Sequence, residues 1–145
     1  MIIGNNNNLK NTEKNINYYI SKEFLTVYDT NNIVVEVDNQ EVTINIVKTP
    51  TNSYGVHFYL SYFETQVRAK ISFQGKLTQS ENKVYPKLYT GNKWITLETP
   101  LITNMITYST IQTFQITSLS RWRLSTTSKM IGQTIVFKNI TFTLM

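Results

Sequence analysis

A chain of 145 residues, 41% of them hydrophobic, is long enough for one domain with a proper core. Its apolar runs stop far short of the ~20 residues a membrane-spanning helix needs, and the absence of cysteine excludes disulfides, thiolate metal sites and a cysteine nucleophile. The net charge is +5, yet only 16% of residues are charged and the basic ones are scattered, so they do not form the tail or stripe of a nucleic-acid binder. Polarity comes mainly from Asn, Thr, Ser and Gln, a neutral surface suited to assemblies or to neutral ligands. No basic region followed by an apolar block opens the chain, so no signal peptide is expected.

Residues 1–17 begin with Met1-Ile2-Ile3 and the run of asparagines 5–8. Asparagine competes for backbone hydrogen bonds and favours irregular chain, which predicts an extended N-terminal arm, either disordered or docked on a neighbour. Within residues 12–20 the spacing of Ile16, Tyr19 and Ile20 also allows a turn of helix. Strands are expected over residues 22–28, 33–37, 41–48 and 54–63, separated by Asp29-Thr30-Asn31-Asn32, Asp38-Asn39-Gln40 and the loop 49–53. Residues 66–76, QVRAKISFQGK, alternate most cleanly: Val67, Ala69, Ile71 and Phe73 share one face, and Arg68, Lys70, Ser72 and Gln74 the other. Period two over this length is a half-buried strand, and its nearness to 54–63 predicts an antiparallel hairpin between the two.

Residues 83–89 set Val84 and Leu88 against Tyr85, Lys87 and Tyr89, and Pro86, lacking an N–H, predicts an edge strand or a bulge there. Thr90-Gly91-Asn92 turns into a strand over 93–98. Further strands are expected over 110–117 and 120–125, with Phe114, Ile116, Trp122 and Leu124 as core. In the last strand, 134–144, the apolar parity changes between Phe137 and Ile140, and one extra residue near Lys138-Asn139 restores the face, which predicts a β-bulge. Short strands at ~8–12-residue spacing are the pattern of an antiparallel β-sandwich or barrel.

Chemistry is sparse. His57 is the single histidine and lies on the polar side of its strand, as a surface or interface residue. The carboxylates are dispersed; Asp29 and Asp38 sit in turns. Glu64 and Glu98 are carboxylates of the kind a glycosidase would need, but nothing in the sequence pairs them. The glycines are isolated, with no phosphate-loop pattern. Asn139-Ile140-Thr141 matches a glycosylation sequon inside a strand, where the match reads as chance. No catalytic residue, metal site or cofactor is expected, although a structural calcium held partly by backbone carbonyls is left open. The aromatics carry more information. Tyr85, Tyr89 and Trp94 fall on neighbouring strands beside amides and lysines, an arrangement that can stack on a sugar, serve as core, or form a subunit contact. Arg121 and Arg123 flank Trp122 and point outward, either as a pair that binds an anion or a neighbour's carboxylate, or as a solvated face.

The order of 54–63, KISFQGK, YPKLYTGNKWITL, the strand around Phe114, RWRL and IVFKNITFTL resembles the jelly-roll sandwich of carbohydrate-binding modules. The matching features are Gly75-Lys76 ending a strand, the Gly91 turn leading to Trp94, the Arg-flanked Trp122, and the closing strand with Phe137, Asn139, Ile140 and Phe142. The opening NNLKNTEKN is also similar to the start of these modules, and the resemblance covers residues 8–144. Domains of this type recur in phage tail fibres and virion accessory proteins. The resemblance implies an all-β, antiparallel jelly-roll sandwich over residues 18–145, preceded by the arm 1–17. With no catalytic domain, linker or secretion signal evident, the expected role is a non-enzymatic phage virion protein. It would be a capsid accessory, decoration, fibre or tail component, located in the virion, homo-oligomeric and in contact with other virion proteins. The alternative is a module that recognises a cell-surface glycan. Neither nucleic acid nor membrane is an expected partner.

Overall fold

The computed structural model describes residues 14–15, 18–24, 31–39, 41–51, 54–60, 66–79, 83–115 and 122–145, the first two stretches by their backbone pairing only. Every element among them is a strand: β1 (Lys14–Asn15), β2 (Tyr18–Phe24), β3 (Ile33–Asp38), β4 (Glu41–Ile46), β5 (Tyr54–Leu60), β6 (Gln66–Leu77), β7 (Pro86–Tyr89), β8 (Trp94–Thr96), β9 (Ile106–Gln115), β10 (Trp122–Thr126) and β11 (Thr134–Leu144). They form two sheets. The first runs β3-β4-β11-β6-β9, with β1 joining β11, and the second runs β2-β5-β10-β7-β8. All pairings are antiparallel, and the chain is the all-β sandwich expected from its strand spacing.

Each sheet buries one face, and the alternation read from the sequence says which. On β6, Val67, Ala69, Ile71 and Phe73 are buried while Arg68 and Lys76 are exposed. β4 contributes Val42, Ile44 and Ile46, and β11 contributes Ile135, Phe137, Ile140 and Phe142. From the second sheet come Val56, Phe58, Leu88, Trp122 and Leu124. An aromatic cluster joins the layers: Trp122 stacks on Phe58 with centroids 3.9 Å apart and planes 12° off parallel. The same indole meets Phe142 at 5.7 Å and Phe114 at 6.3 Å, both from the first sheet. Burying side chains of this size contributes about 1.5–3 kcal/mol each, so this cluster fixes how the two sheets sit on one another.

The predicted bulge is present. On β11, Lys138 faces Gln74 but Thr141 faces Ser72, so one extra residue is inserted there. Asn139 takes it up at φ 55°, a left-handed conformation that asparagine tolerates better than most residues. Ile140 and Phe142 thereby return to the core. The turn from β3 to β4 uses Asn39 in the same way, at φ 54°.

The expected hairpin between the strands at 54 and 66 is not formed. β5 pairs with β2 and β10 in the second sheet, and β6 with β11 and β9 in the first, so the chain crosses the sandwich between them. Period two identifies the face a strand buries, not its neighbour, and Val56 and Ile71 are both buried, from opposite sheets. The turn of helix over residues 12–20 gives way to strand at 14–15 and 18–20, and the strand expected from residue 22 begins at Tyr18. Lys14 and Asn15 pair with Leu144 and Thr143, so the part of the arm that is described belongs to a sheet. Nor is Pro86 in an edge strand: β7 lies between β10 and β8. Proline is tolerated because it opens the strand, and its carbonyl accepts from the Leu97 N–H at 2.9 Å. Ile116, Glu64, Asp29 and Arg121 lie outside the described residues.

Candidate functional site on the outer face of the second sheet

Register places a row of residues straight across the second sheet. Trp94 of β8 pairs with Tyr89 of β7, Tyr89 with Arg123 of β10, Arg123 with His57 of β5, and His57 with Ser21 of β2. Alternation sends Trp122, Leu124 and Leu88 into the core, so their neighbours Arg123 and Tyr89 stand on the outer face. Directly opposed residues have Cβ atoms about 4.5–5.5 Å apart, and the side chains of Trp94, Tyr89 and Arg123 meet. The Tyr89 and Trp94 rings lie 5.1 Å apart at 47°. The Arg123 guanidinium sits 4.5 Å from the Tyr89 centroid and 5.9 Å from that of Trp94. Lys87, two residues back on β7, brings its ammonium to 5.2 Å from the Trp94 ring. Cations over aromatic faces at these distances contribute about 0.5–1 kcal/mol each where exposed.

The turn from β7 to β8 anchors the row. Tyr89 Oη donates to the Gly91 carbonyl at 3.1 Å, and Thr90 Oγ1 donates to Asn92 Oδ1 at 3.0 Å. Gly91 has φ 104°, and a Cβ there would stand 1.8 Å from the Gln115 carbonyl oxygen, so only glycine lets the turn lie against β9. The Gln115 N–H donates to the Thr90 carbonyl at 2.9 Å, tying the turn of one sheet to the edge of the other.

Beyond Lys87 the row opens into a cavity of about 370 Å³ lined by Tyr54, Lys87, Trp94, Ser125, Thr127 and Lys129 among others. Its floor is fixed by hydrogen bonds from Tyr54 Oη to the Ser128 carbonyl and from Ser125 Oγ to the Tyr54 carbonyl. Burial pushes the Tyr54 phenol well above its ordinary pKa, so it is a neutral hydrogen-bond donor. A second cavity, of about 330 Å³, adjoins across Thr127, Ser128 and Lys129 and adds Lys83.

Of the residues singled out from the sequence, Tyr89, Trp94 and Arg123 come together. Tyr85 shares their parity but precedes β7 and makes no ring contact with either; its N–H donates to Thr127 Oγ1 at 2.9 Å. The expected outward Arg pair is represented by Arg123, which is half-buried over Tyr89 rather than solvated. His57 does face away from the core, as its parity requires, but it is only 3% exposed and is a covered residue, not a surface one. The Tyr59 ring meets it edge-on at 6.5 Å. Lys87, Lys129 and Lys83 were not singled out. Lys87 was legible, being on the same face of the same strand as Tyr89; Lys129 and Lys83 enter from loops whose course no periodicity gives. Among the described residues no three His, Asp or Glu side chains gather where they could hold a metal ion.

No family model matches the sequence, and no curated protein sequence matches it. Solved structures do match in shape. A CBM4 structure superposes with a TM-score of 0.53 at 15% identity, covering 88% of this chain and 86% of that one. A family 29 carbohydrate-binding module from Piromyces equi gives 0.53 at 7% identity, covering 91% of this chain and 89% of that one. The enzymatically active domain of tailspike protein 4 from bacteriophage CBA120 gives 0.50 at 13% identity over 89% of this chain, which spans only 19% of the phage protein. At these identities the likeness is one of fold: the chain is a jelly-roll β-sandwich of the kind carbohydrate-binding modules have.

Proposed function

We propose that the chain is a carbohydrate-binding module rather than an enzyme, and that it binds through the outer face of its second sheet. The observation that carries this reading is the row Trp94–Tyr89–Arg123, in which two aromatic rings and a guanidinium are held side by side on a rigid strand surface. Aromatic faces pack on the C–H faces of a pyranose while the cations and nearby hydroxyls bind its oxygens. Preorganisation by β7, β8 and β10 removes much of the ordering cost of binding. The solved carbohydrate-binding modules of like fold support the reading. A glycan array with the full chain tests it. A defined set of glycans should be bound, and Trp94→Ala and Tyr89→Ala should each lose them; binding to no glycan at all would refute it.

A second reading, a homo-oligomeric component of a phage virion, is supported by the likeness to the tailspike domain and by the edge of β9. β9 reads ITYSTIQTFQ and carries no charge or proline. By contrast, β3 holds Glu36 and Asp38, β2 holds Lys22 and Glu23, and β8 is only three residues long. Charge and shortness are the usual protections of an edge. The Gln115 N–H points outward to Thr90, so by alternation Thr107, Ser109, Ile111 and Thr113 turn their N–H and C=O groups to the same open side. Light scattering should then find an oligomer that Ile111→Lys dissociates, and a monomeric wild type would sink this reading.

A further inference from the structure

We infer that the trough beside Trp94 is built for an anionic sugar, one that carries a carboxylate or a sulfate; this rests on the carbohydrate-binding reading above. The trough consists of the two adjoining cavities, which share Thr127, Ser128 and Lys129 as a common rim. Lys87 and Lys129 line the first and Lys83 and Lys129 the second, and among the described residues no aspartate or glutamate lines either. Arg123 adds a further positive charge at the Trp94 end.

Two features separate this from an ordinary solvated lysine face. The first is enclosure: the ammonium of Lys87 is held beside the Trp94 ring, over a floor whose hydroxyls are fixed by backbone partners. Ser125 and Tyr54 spend their protons on carbonyls, whereas Thr126 Oγ1 accepts from the Ser128 N–H and Ser128 Oγ from the Met130 N–H, each at 3.3 Å, which fixes both hydroxyls and leaves their protons to be donated. The charged donors of the trough are the lysines, and the Thr126 and Ser128 hydroxyls lie beside them. The second is the aromatic wall. With Lys87 and Arg123 both near its ring, Trp94 offers a sugar an apolar surface bounded by cations. A neutral sugar would use the ring and leave the charges solvated, whereas an anionic one uses both. A single sign of charge in a partly enclosed trough also focuses the field toward it.

The experiment is titration calorimetry of the full chain against trigalacturonate, a sulfated galactose trisaccharide and neutral xylotriose. One or both anionic trisaccharides should bind while xylotriose binds at least tenfold more weakly, and the pair of anionic arms tells carboxylate from sulfate. Lys87→Met and Lys129→Met should each weaken that binding roughly fivefold or more. Lys76→Met, on the outer face of the other sheet, should leave it unchanged, which separates the trough from the general +5 charge of the chain. Should a lysine variant fail to fold, salt dependence of the wild type replaces it. Raising ionic strength from about 0.1 M to about 1 M cuts the screening length from about 10 Å to about 3 Å and should weaken the anionic sugar alone. Equal binding of xylotriose and the anionic sugars overturns the inference and leaves the carbohydrate-binding reading standing. Binding to none of them while the array finds another glycan also overturns it, and silence in both assays removes the reading on which it rests.

Discussion

Replacing Gly91 by alanine should cost about 3–4 kcal/mol, from a clash and from backbone strain together. The added Cβ would lie 1.8 Å from the Gln115 carbonyl oxygen and 2.9 Å from its carbon, both rigid backbone atoms of β9. Relief requires the turn and the strand to part by roughly 1.5 Å. That lengthens the Gln115 N–H to Thr90 bond, now 2.9 Å, beyond use, a loss of about 0.5–1.5 kcal/mol, with further loss from the packing around it. Holding alanine at φ 104° adds about 1–2 kcal/mol. Gly132 supplies the control: its φ is 84°, but nothing lies within 4 Å of a Cβ there, so Gly132→Ala should cost only the strain, about 1 kcal/mol. At about 2–4 °C per kcal/mol for a chain of this size, thermal melts by circular dichroism should fall ~10 °C for Gly91→Ala and ~3 °C for Gly132→Ala. Because Tyr89 Oη donates to the Gly91 carbonyl, the near-ultraviolet signal of Tyr89 and Trp94 should change in the first variant and not in the second. Equal losses in the two variants would refute the packing of the turn against β9.

Three further outcomes are expected. Phe58→Ala removes the ring stacked on Trp122 in the middle of the sandwich and should cost about 3–5 kcal/mol in urea unfolding. At the bulge, Asn139→Gly should be nearly neutral, whereas Asn139→Val, a β-branched residue at φ 55°, should cost about 1–2 kcal/mol by the same measurement. The phenols of Tyr54 and Tyr108 both titrate higher in the folded chain than their ordinary value of 10.0, Tyr108 at about 12, because burial disfavours the phenolate. The unfolded chain therefore releases these protons first, and stability that is complete below pH 10 is lost as pH rises toward 12. The slope is at most about 1.4 kcal/mol per pH unit for each phenol, and smaller for Tyr108. Tyr108→Phe should remove its share of that slope and cost little at pH 7, since the Tyr108 hydroxyl is buried with no hydrogen-bond partner among the described residues.

The strand faces could be read from the sequence because burial imposes period two on a strand wherever one side is dry. Ile71, Phe73, Trp122 and Leu124 are where that rule puts them, and the parity change between Phe137 and Ile140 located the bulge to the residue pair. Strand partners were not legible in the same way. The apolar face of β5 would suit a neighbour in either sheet, and the choice is made by long-range pairing with β2 and β10 that leaves no local mark. Pro86 misled for a related reason: a missing N–H is compatible with an edge, a bulge or a first position, and only the third is realised. At the site, composition drew attention to Tyr89 and Trp94, but the sequence separation of Arg123 from Tyr89 hid that they are directly opposed.

That opposition bears on how a sheet face can be a site at all. An outer face is ordinarily wet and its side chains free to reorient, which makes it a poor recognition surface. Here the row is partly dried from within. His57 is covered although it points away from the core, and Arg123 is half-buried with its guanidinium over Tyr89. The Tyr89 hydroxyl is fastened to the Gly91 turn, and that turn is fastened to β9 of the other sheet. Tyr89 therefore has its position set by a backbone feature, and Arg123 and Trp94 pack against its ring. The stability of the Gly91 turn and the geometry of the row are consequently one property. A substitution that loosens the turn should disturb the row before it unfolds the sandwich, because the contacts of Trp122 with Phe142 and Phe114 that join the sheets are buried in the core.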